Sequence, residues 1–164
     1  MSRLYLIDEF GPGKLALAAR PRGGDWLPED VAIWKRSGID LVVSLLTPEE
    51  ERDLQLSDES REARSQGMEF LSFPIPDRDV PASEPELGRL LERIGQRLSS
   101  GKNVLMHCRQ GIGRSGLVAA CLLVKRGVSP GAAVETVSSA RGVPVPETPE
   151  QREWIDRYAA VSLR

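Results

Sequence analysis

Apolar residues along this chain fall into short dense runs, separated by stretches in which they recur every third or fourth position. Leu4–Ile7 and Leu15–Ala19 predict short strands, with Gly11-Pro12-Gly13 and Pro21–Gly24 as turns after them. Ile39–Leu46 is rich in branched residues and hardly alternates, the pattern of a strand buried on both faces. Met68–Phe73 and Asn103–His107 read as two further strands. Between them the spacing turns helical. Pro28–Ser37 predicts a helix with Pro28 in its first turn and Gly38 beyond its end. Thr47 with Glu50, and Ser83 with Glu86, predict capping boxes that open two more. Leu87, Leu90, Leu91, Ile94 and Leu98 then form one apolar stripe, and Gly101 stops it. Helices are also expected from Arg114 to Arg126, from Ser129-Pro130 to Ala140, and from Thr148-Pro149 onward, the last with Trp154, Ile155 and Tyr158 on one face. Pro74–Ala82 holds three prolines and must be a loop. Strands alternating with helices indicate an α/β domain.

Composition narrows the function classes. The 164 residues fit one domain, and 40% hydrophobic with 28% charged residues is globular, not disordered. The formal charge of −2 lacks the basic excess that nucleic acid or an anionic membrane surface would need. One histidine and two cysteines offer neither a disulfide framework nor a zinc site of the usual kind, so no metal or cofactor is expected. The longest apolar run, Leu117–Val124, is far short of the roughly 20 residues that span a bilayer. Acids interrupt the start before a secretory core forms, so a cytoplasmic protein with reduced thiols is expected. Residues 49–62 carry seven acids and two arginines, which reads as a solvated helical face.

The chemistry concentrates in His107-Cys108-Arg109-Gln110-Gly111-Ile112-Gly113-Arg114-Ser115. A buried strand ends at a cysteine, a tight glycine-bearing loop follows, and a helix begins at an arginine. Glycines let successive backbone N–H groups point inward as an anion nest. The helix start adds unpaired N–H groups and the positive end of its dipole. Both favour the thiolate, the reactive form of Cys108. Arg114 supplies a planar fork that matches phosphate oxygens. A cradle for a tetrahedral dianion over a thiolate suits phosphoryl transfer through a cysteinyl-phosphate.

This run resembles the His-Cys-x-x-Gly-x-x-Arg-Ser/Thr signature of the cysteine-based protein tyrosine and dual-specificity phosphatases. Phe73-Pro74-Ile75-Pro76-Asp77 resembles the loop that carries that family's general acid. Val143–Gln151 before an aromatic helix is similar to the segment after the signature in compact, kinase-associated-phosphatase-like members. The resemblance runs from about Leu15 to Tyr158 and implies, within the one domain expected over residues 1–164, a central, mostly parallel sheet with helices on both faces and the signature loop at a strand's C-terminal end. It implies Cys108 as nucleophile, and phosphate held by Arg109, Gln110, Gly111, Ile112, Gly113 and Arg114. Asp77 would be the acid and then the base, with Asp79 two residues on as its rival. Ser115 would hydrogen-bond the sulfur and His107 would support the loop. Gln151 would either position water or cap its own helix. Arg78 and Arg141 could edge the pocket. Cys121, a rise of ~10 Å along the helix from Arg114, is a core residue rather than a redox partner.

The implied reaction is metal-independent phosphomonoester hydrolysis. The implied partner is a phosphoprotein or a small phosphorylated substrate, met by a monomer. Phosphoinositide-type members of the family tend to carry lysines within the signature loop, and none lies between Cys108 and Arg114, so the resemblance sets a phosphoinositide behind a phosphorylated protein side chain. Rhodanese-type sulfurtransferases also put a cysteine in a tight loop, but Arg114-Ser115 and Asp77 have no part in that chemistry. A phosphate-binding module without catalysis would be expected to lack the cysteine, the arginine or the acid.

Overall fold

The computed structural model describes residues 3–7 and 9–162. Among the described residues five strands form one sheet: β1 (Tyr5–Ile7), β2 (Leu15–Ala18), β3 (Leu41–Ser44), β4 (Glu69–Ser72) and β5 (Val104–His107). Their order is β1-β2-β5-β3-β4. Only the edge strand β1 runs antiparallel to its neighbour. In register, Ala18 and Ser44 flank His107 on the two sides of β5. The central strand therefore delivers the signature loop to the sheet's C-terminal edge, between the ends of β2 and β3, where open α/β sheets bind their ligands.

Seven α-helices among the described residues cover the sheet: α1 (Leu27–Arg36), α2 (Pro48–Asp53), α3 (Glu59–Ser65), α4 (Glu84–Ser99), α5 (Gly113–Lys125), α6 (Pro130–Arg141) and α7 (Pro149–Ser162). Strand alternation sorts the core into two layers. Leu15, Leu17, Val43, Val104 and Met106 face the layer built from α4 to α7. Ala16, Ala18, Val42 and Leu105 face Leu27, Val31 and Trp34 of α1 and Ala63 of α3. Residues of β3 are buried on both faces, as its unalternating sequence predicts. The expected stripe of α4 is buried along its length. Helix α5 is buried from Gly113 to Val124, which is why its sequence shows no polar face.

Two local expectations change. The acid-rich segment is not one solvated helix. It is two short ones, α2 and α3, separated where Gln55 takes a φ of 57° and Leu56 drops into the core at 1% exposure. The capping box at Thr47 holds Glu50 inward at the start of α2, and the dip brings Glu59 inward at the start of α3. Ser83 caps α4 by accepting the Glu86 N–H at 3.3 Å, half of the expected box. Thr47 and Glu50 complete theirs in both directions.

Candidate active site

The sulfur of Cys108 lies at the floor of a cleft of about 250 Å³, whose walls include Asp77, Arg78, Arg109, Arg114, Glu147 and Gln151. Cys108 itself is 2% exposed. Its Sγ receives the Gly111 N–H at 3.3 Å and lies 3.3 Å from Ser115 Oγ, the first turn of α5. Gly111 has a φ of +73°, and a Cβ there would stand 2.6 Å from the Ala18 carbonyl oxygen. Only glycine fits both the conformation and the approach to β2.

Arg114 enters from α5 and is nearly wholly buried. Its Nη1 donates to Glu50 Oε1 at 2.7 Å and to the Ile75 carbonyl at 2.8 Å. Its Nη2 donates to Glu50 Oε2 at 3.0 Å and to Asp77 Oδ1 at 3.1 Å. Burial alone would disfavour the guanidinium. Its hydrogen bonds to Glu50, with the charges of Cys108, Glu50 and Asp77, more than offset it and hold Arg114 firmly cationic. Glu50 is thus a capping residue that also fixes the arginine's fork from 64 residues away. Its local role was legible in the sequence; its long-range role was not.

Burial raises the Glu50 carboxyl, but the hydrogen bonds from Arg114 and Thr47 outweigh it and leave the group below its ordinary value. A carboxyl lowered by folding stabilises the native state above its unfolded pKa, and that contribution fades as pH falls through its folded pKa. Glu50→Gln should therefore cost about 1.5–3 kcal/mol at neutral pH. The gap to wild type should close as the medium becomes more acidic than the ordinary carboxylate range. Urea unfolding at a series of pH values checks this; a gap that grows on acidification would overturn the pairing.

The acidic loop is tied down at several points. Asp77 lines the cleft, whereas Asp79 Oδ1 accepts the N–H of Val80 at 2.8 Å in its own turn. Gln151 is fully buried; its Nε2 donates to the Asp79 carbonyl at 3.0 Å. Gln151 also makes the expected cap of α7, where its Oε1 accepts the Thr148 N–H and its N–H reaches Thr148 Oγ1, each at 3.1 Å. One side chain therefore joins the start of α7 to the loop that carries Asp77. Arg78 pairs with Glu147 across the mouth at 3.5 Å, and Arg109 Nε lies 3.8 Å from Glu50 Oε2.

Behind the nucleophile, His107 is completely buried. Its Nε2 shares a 2.6 Å hydrogen bond with Glu59 Oε2, and its ring lies 5.9 Å from that of Trp34. Glu59 is the second acid of the supposedly solvated segment to serve the site, at 2% exposure. No sequence spacing links it to residue 107; only the dip at Leu56 brings it there. Cys121 is fully buried in α5, its thiol pushed well above the usual range by desolvation, as a core residue should be. Among the described residues no group of three acids, histidines or cysteines could hold a metal ion. Nor is any helix among them long and apolar enough to cross a membrane.

A family model described as a polymorphic toxin system DSP-PTPase phosphatase matches residues 18–128, from the end of β2 past the end of α5. The chain belongs to the DSP-PTPase phosphatases. Consistent with that membership, it is 32% identical over 90 residues to cyclin-dependent kinase inhibitor 3 of Rattus norvegicus, covering 52% of this chain and 41% of that protein. The chain thus spans about two fifths of the length of this relative. Tk-PTP, solved in its active form, is 32% identical and superposes with a TM-score of 0.80 over 96% of both chains. Kinase associated phosphatase, solved with its catalytic-site cysteine replaced by serine, is 21% identical and shares the fold at a TM-score of 0.88, over 99% of this chain and 96% of that one. The expected family and its α/β architecture are both borne out.

Proposed function

We propose that this chain is a metal-independent phosphomonoesterase that works through a cysteinyl-phosphate on phosphorylated tyrosine, serine or threonine side chains. The observation that carries the reading is the Cys108 sulfur at the floor of a cleft walled by a buried, acid-fixed Arg114 and by Asp77. The Cys108 thiolate attacks phosphorus, and the S–P bond forms as the ester O–P bond breaks. The loop N–H groups of residues 109–114 and the Arg114 guanidinium hold the equatorial oxygens through the transition state. Asp77 gives its proton to the departing oxygen. It then takes one from the water that attacks phosphorus, and the sulfur leaves. Ser115 Oγ, already 3.3 Å from Sγ, hydrogen-bonds the sulfur as it regains charge. Gln151 keeps the Asp77 loop in place through the Asp79 carbonyl, and His107 supports the loop from behind. The nucleophile must stay reduced, so a reducing compartment such as the cytoplasm is the proposed setting.

The rim supports a substrate with one phosphate. Of the two arginines at the mouth beside Arg114, Arg78 is paired with Glu147, which leaves Arg109, 3.8 Å from a Glu50 carboxylate that Arg114 already holds, as a single cation outside the cradle. A polyphosphate such as a phosphoinositide needs uncompensated cations outside the cradle. Phosphate release in excess chelator should therefore be faster from phosphotyrosyl and phosphothreonyl peptides than from short-chain phosphoinositides at equal concentration. Turnover confined to the phosphoinositides would overturn the substrate class, and turnover that dies with chelation would overturn the mechanism.

A further inference from the structure

Three consecutive carbonyls of the signature loop find donors outside it. The Arg109 carbonyl accepts the Arg20 N–H at 3.2 Å. The Gln110 carbonyl accepts Arg141 Nη2, and the Gly111 carbonyl accepts Arg141 Nε, both at 3.0 Å. A planar trans peptide sets each carbonyl opposite the next residue's N–H. Holding these carbonyls outward therefore turns the N–H groups of Gln110, Gly111 and Ile112 inward. The Gly111 N–H is indeed found there, 3.3 Å from Cys108 Sγ.

Two of these three peptides depend on one side chain. Arg141 is the last residue of α6, thirty residues beyond Gly111, and is half-buried. Its guanidinium stacks on the ring of Tyr5 in β1, with Cζ 3.9 Å from the ring centre. Such stacking adds attraction and holds the planar fork in one orientation. The lock matters because glycine resists peptide rotation least of all residues. A rotated 110–111 or 111–112 peptide would present a carbonyl to the anion in place of an N–H.

We infer that Arg141 is a positioning residue of the phosphate cradle: stacked on Tyr5, it pins two peptides so that the Gly111 and Ile112 amides stay aimed at a tetrahedral oxyanion. The inference rests on the phosphatase reading for the identity of that anion. It explains why a side chain outside the signature, and an aromatic ring at the far edge of the sheet, bear on the site. Lysine cannot replace the clamp, since a single ammonium neither spans two carbonyls with a rigid fork nor stacks flat on a ring.

Tungstate, a tetrahedral dianion, is the probe, titrated by calorimetry into wild type, Arg141→Lys, Arg141→Met, Tyr5→Phe and Tyr5→Leu. Thermal midpoints and aryl phosphate kinetics are measured beside it. Both Arg141 variants should bind tungstate at least about tenfold more weakly, the loss of a charge-assisted pair. Arg141→Lys should keep its thermal midpoint within about 4 °C of wild type, as fits a change of less than roughly 1 kcal/mol in a chain of this size. Tyr5→Phe should match wild type, and Tyr5→Leu should fall between wild type and Arg141→Lys. Wild-type affinity in Arg141→Lys would overturn the inference while leaving the phosphatase reading intact. Failure of the wild type itself to bind tungstate would overturn both. Should Arg141→Met fail to fold, the Tyr5 pair still decides, because equal affinity in Tyr5→Phe and Tyr5→Leu is incompatible with the clamp.

Discussion

Replacing Cys108 with serine is expected to abolish turnover, by a factor on the order of a thousand or more, without loss of the fold or of oxyanion binding. The two side chains are nearly isosteric, and the site is closely packed at 2% exposure, so the loop has no reason to rearrange. What changes is the nucleophile. A hydroxyl is scarcely ionised where a thiol can be, and the Gly111 N–H and Ser115 Oγ that surround the sulfur do not close that gap. The cradle is made of backbone amides and Arg114, none of which the substitution touches. Hydrolysis of an aryl phosphate in excess chelator, with tungstate titration of both proteins, separates the two functions. The expected result is a silent variant that still binds the anion. Unchanged turnover would remove Cys108 from the mechanism, and joint loss of turnover and anion binding would mean that the sulfur shapes the cradle rather than attacking from it.

The parts of this site that lie together in sequence were readable from local rules, Asp77 and Gln151 only through the family resemblance, and the charged supports behind the signature not at all. The signature from His107 to Ser115 spans one strand end, one loop and one helix start, so its geometry follows from local rules of backbone and glycine. The same holds for the cap at Thr47, the stripe of α4 and the order of strands and helices. The supports behind the signature are different. Glu50 and Glu59 sit among seven acids in residues 49–62, and charge density alone assigns all of them to solvent. For Glu59 the inward turn depends on the break at Gln55 and on Leu56 entering the core, and for Glu50 on where the capped start of α2 lies beside Arg114. Buried acids need partners, and those partners, Arg114 and His107, stand 64 and 48 residues away. Arg141 is similar: a surface arginine by composition, a loop support by the way α6 ends beside the signature. The sequence offers Arg141 only as a residue at the pocket edge; that it holds the loop's carbonyls follows from where α6 ends. The cost of a buried, unpaired charge thus explains why these residues are where they are, but only the tertiary fold says which ones they are.

Asp77 and Asp79, close in sequence, have different surroundings, and the second large effect should separate them. Asp77→Asn is expected to lower kcat by about 10²–10³ on a substrate with a poor leaving group such as an alkyl phosphate, within the usual span for general acid catalysis. Asp79→Asn should stay within about threefold of wild type, since its carboxylate serves the Val80 N–H and the contact it offers toward the site is a backbone carbonyl, to Gln151. Asp77 instead presents its carboxyl on the cleft wall, beside the Arg114 fork. Magnitude alone would not prove proton transfer, because losing the Arg114–Asp77 contact could also loosen the loop. The leaving group supplies the discriminating variable. A nitrophenolate departs without a proton, so the defect of Asp77→Asn should shrink markedly as the leaving group becomes more acidic. A defect of equal size across all leaving groups would make Asp77 a support of the loop. A large, leaving-group-dependent defect in Asp79→Asn instead would move the acid two residues along, and would require the loop to turn so that the Val80 N–H gives up the carboxylate it now holds.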